Sequence, residues 1–244
     1  MALTGKTISV SEITRQEQHQ MLTLMQRHYR NVDEHNFTAD LSEKDWVILL
    51  RNEENEICGF STQLLFEHRL RDEKLLILFS GDTVIDSTYW GSFALPIAWG
   101  NLMLSLKKAN PGEKLYWMLI SKGVRTYRFL PIFFHEFYPR HEKPTPKWEA
   151  DLINSLGHKR YPDRYDPQSG LINGTTSSQA LKAEFDLRGR TNPHVDYFYE
   201  RNPHVDTGSE LVCIAPLGEE NITPFIKRQL KKHVDDTPPL QLAE

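Results

Sequence analysis

Leu75-Leu76-Ile77-Leu78-Phe79-Ser80-Gly81-Asp82-Thr83-Val84-Ile85-Asp86-Ser87-Thr88-Tyr89-Trp90-Gly91-Ser92-Phe93-Ala94-Leu95 holds most of what the sequence says about the fold. Leu75 to Phe79 and Val84 to Ile85 read as one strand interrupted at Ser80 and Gly81, where a bulge or a close backbone approach is expected. Asp86, Ser87 and Thr88 follow as cap chemistry. Ile97, Leu102, Leu104 and Leu106 then supply a helix, with Lys107 and Lys108 at its negative end and Asn110-Pro111-Gly112 as its stop. Phe93 opens the apolar run of that helix, and its side chain either projects into the space before the helix start or turns into the core as the first anchor; the core anchor is the expectation.

Upstream, Trp46 to Leu50 and Ile57 to Phe66 are strand-like runs joined by the polar Arg51 to Glu56, a link too short for a crossover, so an antiparallel hairpin is expected. The polar Glu67 to Lys74 joins Ile57 to Phe66 to the deciding strand in the same way. Before them, the residues around Ile8 and Val10 alternate, and Thr14-Arg15-Gln16-Glu17 spells a capping box. A helix is expected from there to about Arg30, with Met21, Leu24, Met25, His28 and Tyr29 on one face.

Downstream, Lys114 to Ile120 reads as a strand. Arg125 to Tyr138 reads as an aromatic segment that Pro131 kinks or splits into two helices. A short helix is expected from Lys147 to Leu156, ended by Gly157, and another through Gln179 to Phe185. Glu210 to Ala215 reads as a late strand, Ile222 to His233 as an amphipathic helix, and Asp235 to Glu244 as a loose tail. The pentapeptide Asn192-Pro193-His194-Val195-Asp196 recurs as Asn202-Pro203-His204-Val205-Asp206, and Asn-Pro and Asp are turn or cap chemistry. A single domain over residues 1–234 is expected, with a core at about 5–140, an elaborated part at 141–234 and the tail at 235–244.

Composition narrows the class. The 244 residues carry 29 Lys+Arg against 33 Asp+Glu, a formal net charge of -4, which excludes a globally basic nucleic-acid coat. No run approaches the roughly 18 apolar residues of a membrane span, and Met1 to Val10 lacks the character of a signal peptide, so a cytoplasmic location is expected. Cys58 and Cys213 lie in apolar runs and read as buried free thiols.

The order strand, helix, hairpin, interrupted strand, helix, strand, helix, late strand resembles the Gcn5-related N-acetyltransferase (GNAT) superfamily. Asn55-Glu56-Ile57-Cys58-Gly59-Phe60 resembles the start of that family's third strand. Val84 to Leu95 resembles its fourth strand and the loop that receives the pyrophosphate of coenzyme A. The resemblance implies a mixed α/β fold, a mostly antiparallel central sheet flanked by helices and an extended C-terminal region. It also implies a coenzyme A thioester or an acyl carrier protein as co-substrate, no tightly bound cofactor, and a small-molecule acceptor. The family's loop commonly reads Arg or Gln, two residues, Gly, one residue, Gly or Ala, because small residues let helix-start N–H groups wrap a phosphate. Here Trp90 stands in the first position and Phe93 and Leu95 replace the two small residues, while Gly91 agrees with a frequent intervening Gly.

By that resemblance Val84, Ile85, Trp90, Gly91 and Ser92 would meet the donor. Acyl transfer to an amine needs a base, a donor for the leaving thiolate and amides that polarise the carbonyl. Asp82 and Asp86 share strand parity with Val84, and the resemblance makes Asp82 the favoured base. A turn role for Asp82 and a helix-cap role for Asp86 compete with catalysis. Tyr127 stands where the family places its leaving-group acid, yet Tyr127, Leu130, Phe134 and Phe137 also form an aromatic core stripe. Lys122, Arg125 and Arg128 fit either a phosphate site or a solvated helix face. His194, Asp196, His204 and Asp206 carry the letters of a two-His, one-carboxylate iron site, and two repeated turns explain the same letters. Three readings follow: an acyltransferase, a noncatalytic acyl- or lipid-binding module, and an iron enzyme.

Overall fold

The computed structural model describes residues 3–175, 178–181 and 192–233. Its strands are β1 (Thr4–Ser9), β2 (Tyr29–Arg30), β3 (Trp46–Arg51), β4 (Ile57–Leu70), β5 (Glu73–Ile85), β6 (Leu115–Ser121), β7 (Tyr165–Asp166), β8 (Leu171–Ile172), β9 (Ala180–Leu181) and β10 (Glu210–Pro216). Its α-helices are α1 (Arg15–His28), α2 (Glu34–Ser42), α3 (Ala94–Ala109), α4 (Val124–Tyr127), α5 (Phe129–Phe133), α6 (Lys147–Arg160), α7 (Pro193–Arg201) and α8 (Pro224–His233). Eight strands form one sheet in the order β1-β3-β4-β5-β6-β10-β8-β7, and β2 pairs separately with β9. Among the described residues only β5 and β6 run parallel; the other pairings are antiparallel. This is the expected mixed α/β class, a mostly antiparallel sheet flanked by helices.

Side-chain parity explains the layers. Trp46, Ile48 and Leu50 of β3 join Leu76 and Leu78 of β5 and Leu115, Trp117 and Leu119 of β6 under α3 and α8. On the other face, Leu75, Ile77 and Phe79 pack with Leu152 and Leu156 of α6, while Val47, Leu49, Phe60 and Val84 pack with Met21, Leu24 and Met25 of α1. Cys58 and Cys213 are buried free thiols, as expected.

The hairpin readings hold. β3 pairs β4 and β4 pairs β5, both antiparallel, the second turn closing at Arg71, whose φ of 55° is left-handed. Thr14 accepts from the Glu17 N–H at 3.2 Å while Glu17 accepts from the Thr14 N–H at 2.8 Å, the predicted capping box. Pro131 lies in the second of two short helices, α4 and α5, in place of one long one. Among the described residues no helix is long and apolar enough to cross a membrane.

Three expectations need correction. Gly157 does not end its helix: α6 continues to Arg160, and the glycine is where the Tyr165 ring packs, since a Cβ there would stand 2.4 Å from Tyr165 Cε2. The helix expected through Gln179 begins instead as strand β9, with residues 182–185 outside the described part, as the tail at 235–244 also is. Phe93 is not a core anchor. It is the N-cap of α3 and 41% exposed, resting edge-on against Phe225 of α8 with ring centroids 5.5 Å apart.

Candidate functional site at the parting of two parallel strands

The parallel pairing of β5 and β6 runs from Leu76↔Leu115 to Ser80↔Leu119 and stops, although β5 continues to Ile85 and β6 to Ser121. The cause is the bulge the sequence predicts. Against β4, Gln63 faces Ser80 while Ser61 faces Thr83, so β5 carries one extra residue at Gly81-Asp82. An extra residue swaps the faces of a strand. Thus Leu76 and Leu78 face α3, whereas Val84 faces α1.

A buried hydrogen-bond chain holds the bulge in place. Trp117 Nε1 donates to Ser80 Oγ at 2.8 Å, Ser80 Oγ to Gln63 Oε1 at 2.7 Å, and Gln63 Nε2 to Ser61 Oγ at 2.7 Å. Ser61 Oγ in turn shares a 2.7 Å hydrogen bond with Thr83 Oγ1. Gly81 is required here because a Cβ would stand 2.6 Å from Thr62 Oγ1. Sequence reasoning missed this chain, whose only local signal is a run of polar residues in strands that are otherwise apolar.

Asp82 projects from the bulge, and no hydrogen bond reaches its carboxylate from the described residues. Burial, with Asp40 and Glu210 nearby, pushes that carboxyl up to about 6 against the pull of Lys122 and Lys44. Lys122 Nζ lies 3.4 Å from Glu210 Oε1 and 5.6 Å from the centre of the Tyr29 ring. Lys44, with its side chain fully buried, pairs with Asp40 Oδ1 at 2.7 Å. The Tyr29 hydroxyl donates to the Thr83 carbonyl at 3.3 Å, and burial, followed by the charges of Asp82 and Glu210, raises its phenol well above the usual range. The site therefore joins a carboxyl of raised pKa, a protonated phenol and the Lys122 amine where two strands separate. Helical spacing predicts Tyr29 within α1, whereas the chain leaves the helix at His28 and Tyr29 begins β2.

Asp86 caps a short 3₁₀ turn at Ser87–Tyr89, not the following helix, and its other carboxylate oxygen accepts from Arg27 at 2.9 Å. Burial pushes its carboxyl up, but the Thr88 N–H and Arg27 outweigh that and hold it low. Val84 is buried. The Ile85 carbonyl accepts from Trp90 Nε1 at 3.0 Å, so Tyr29 and Trp90 take two carbonyls, Thr83 and Ile85, of the stretch that has left β6. The Arg125 guanidinium lies 3.4 Å over the Trp90 ring. Gly91 has a φ of 95°, and Ser92 Oγ accepts from the Ala94 N–H at the start of α3. Burial, then Arg128, lowers Arg125, which places those two cations together.

Tyr127 lies in the core, not in the gap. It has no exposure, its hydroxyl donates to the Pro139 carbonyl at 3.0 Å, and it packs on Phe137 and Phe198. The repeat does not assemble a metal site. His194 and Asp196 begin α7, whereas His204 and Asp206 lie beyond the far end of that nine-residue helix, itself about 13.5 Å long at 1.5 Å per residue. Each copy serves turn or cap chemistry: Asn192 accepts from the His194 and Val195 N–H groups, and the buried Asn202 donates to the Ser209 carbonyl.

No protein-family model matches the chain, and no curated protein matches its sequence. Solved structures do. A conserved Enterococcus faecalis V583 protein given as a probable N-acyltransferase is 13% identical over 56% of this chain, with a TM-score of 0.43. This chain spans 33% of that protein's length. The Escherichia coli GNAT family N-acetyltransferase YhbS, solved in complex with CoA, is 15% identical over 53% of this chain and 69% of its own, with a TM-score of 0.38. A Trypanosoma brucei acetyltransferase is 16% identical over 59% of this chain and 97% of its own, with a TM-score of 0.37. Such identities transfer no residue's role.

Proposed function

We propose that the chain is a divergent member of the GNAT superfamily. It would move an acyl group from a coenzyme A thioester or an acyl carrier protein to an amine or similar small nucleophile. The observation that carries this reading is Asp82: a carboxyl raised to about 6, without a hydrogen-bond partner among the described residues, at the point where β5 parts from β6. A carboxylate with that pKa is matched to deprotonating an ammonium near neutral pH.

In the proposed reaction Asp82 removes one proton from the acceptor's ammonium. The freed nitrogen lone pair attacks the thioester carbonyl carbon, the tetrahedral intermediate collapses, the C–S bond breaks with its electron pair on sulfur, and the second proton lost from the nitrogen passes to that sulfur to give the free thiol and the neutral amide. Tyr29 replaces Tyr127 as the hydrogen-bond donor to the departing sulfur: burial, followed by the charges of Asp82 and Glu210, keeps its phenol protonated, and its hydroxyl turns from the Thr83 carbonyl to the sulfur. Lys122 offsets the charge of Asp82, and Arg125 with Arg128 are the cations offered to a donor phosphate.

The test is thiol release from acetyl- and longer acyl-coenzyme A, and from acyl carrier protein, across a panel of primary amines. Asp82→Asn should lower the rate by about 10²-fold or more, and the parent's log rate should climb up to about pH 6 and then level. Equal rates in parent and variant would remove Asp82 from the chemistry. Donor binding without any thiol release would favour the noncatalytic acyl-binding module, which draws on Trp90 occupying the Ile85 carbonyl under Arg125.

A further inference from the structure

His141, Glu142 and His194 come together from two separate segments: the loop that follows α5 and the first turn of α7. Their ligand-type atoms lie within 4.8 Å of one another. His141 Nε2 is 3.5 Å and His194 Nε2 3.7 Å from the same oxygen, Glu142 Oε1. Both separations are too long for good hydrogen bonds. They match the ligand-to-ligand edge of a tetrahedron about a metal, which for bonds of about 2.0–2.1 Å is roughly 3.3–3.4 Å.

The surrounding bonds leave these atoms free for such a role. No ring nitrogen of His141 or His194 makes a hydrogen bond among the described residues, and His194 Nδ1 is buried without one. Glu142 is oriented from behind, since Arg140 Nε donates to its other oxygen, Oε2, at 2.9 Å, which leaves Oε1 facing the imidazoles. An outer group that fixes a ligating carboxylate in this manner is a regular part of metal sites. Packing aims the rings: His194 lies 5.9 Å from Phe137 and 4.5 Å from His141, centroid to centroid. Two imidazoles and one carboxylate suit zinc-class divalent ions and leave a fourth position for water.

We propose that His141, Glu142 and His194 form a zinc-class divalent cation site that clips the loop after α5 to the start of α7. The site is separate from the Asp82 chemistry and stands or falls independently of it. The guanidinium of Arg140 and the positive start of α7 oppose a cation, so affinity falls short of that of a four-cysteine cage. Tying two segments far apart in sequence, the ion would stabilise the folded chain by mass action.

The experiment is titration of the chelator-stripped full chain with Zn²⁺, followed by calorimetry and by the unfolding midpoint. Co²⁺ is added in parallel, and its visible absorption reports four-coordinate geometry. One equivalent bound, a raised midpoint and a tetrahedral Co²⁺ spectrum are expected. His141→Asn and Glu142→Gln, both at exposed positions, should each weaken Zn²⁺ binding at least about tenfold without altering the midpoint of the stripped protein by more than a few degrees. His204→Asn is the control and should bind as the parent does. Absence of binding, or Zn²⁺ held equally by parent and both variants, would overturn the site.

Discussion

Gln63→Met tests whether a buried polar chain sets the geometry of the candidate site. Gln63 has no exposure and stands opposite Ser80 at the bulge, accepting from Ser80 Oγ and donating to Ser61 Oγ, both at 2.7 Å. Methionine keeps the length and approximate volume while removing both partners. Ser61 retains Thr83, so it loses one hydrogen bond, worth about 0.5–1.5 kcal/mol. Ser80 still accepts from Trp117 but has nowhere to send its own proton, and a buried donor so stranded costs about 1–3 kcal/mol. The sum is roughly 1.5–4.5 kcal/mol, which for a chain of this size lowers the unfolding midpoint by about 3–18 °C. Differential scanning calorimetry of the single variant, of Ser80→Ala and of the pair provides the measurement. Because the residues share one bond, the double variant should lose less than the sum by about 1 kcal/mol. A midpoint within about 1 °C of the parent, or strict additivity, would falsify the chain as the device that holds the bulge.

Asp82→Asn should stabilise the protein at pH 8 and leave it unchanged at pH 4. The folded carboxyl at about 6 lies above its ordinary 3.8, so the native state binds that proton more tightly and stability is lost as pH rises from about 4 through 6. The full rise corresponds to about 3 kcal/mol at 1.36 kcal/mol per pKa unit, and the half-buried side chain brings the expected gain nearer 1–2 kcal/mol; urea melts at the two pH values decide it. Phe93→Gly should cost only about 1–2 kcal/mol, the Phe225 edge contact plus added backbone freedom, well below the 3–5 kcal/mol of a buried aromatic truncation. Gly157→Ala should destabilise by about 1–3 kcal/mol despite better helix propensity, because the new Cβ meets the Tyr165 ring, whose hydroxyl is fixed on Asn154 at 2.7 Å; a more stable variant in thermal melts would contradict that packing.

The parts of the fold legible in the sequence are those whose information is local. Ile57 to Phe66 and Leu75 to Ile85 are apolar runs joined by a few polar residues, and a link that short permits little besides an antiparallel pair. Thr14 and Glu17 act on each other within one helical turn. The bulge beside Asp82 was legible for a similar reason, since Gly81 stands inside an apolar strand, whereas Asp82 as a candidate base came from the family resemblance. Its setting was not legible: Tyr29 and Glu210 arrive from β2 and β10, Lys44 and Lys122 from the loops before β3 and after β6, and no spacing rule joins them. Gly157 and Phe93 show the same limit from the other side. A glycine after an apolar helical run reads as a stop unless one knows that Tyr165 must pack on it. A phenylalanine that begins an apolar run reads as core unless one knows that α8 brings Phe225 to the same surface. In each case the deciding contact is made by a residue outside the local window, so the surroundings of Asp82, and with them its unusual pKa, are a property of the β5–β6 parting and not of any motif around it.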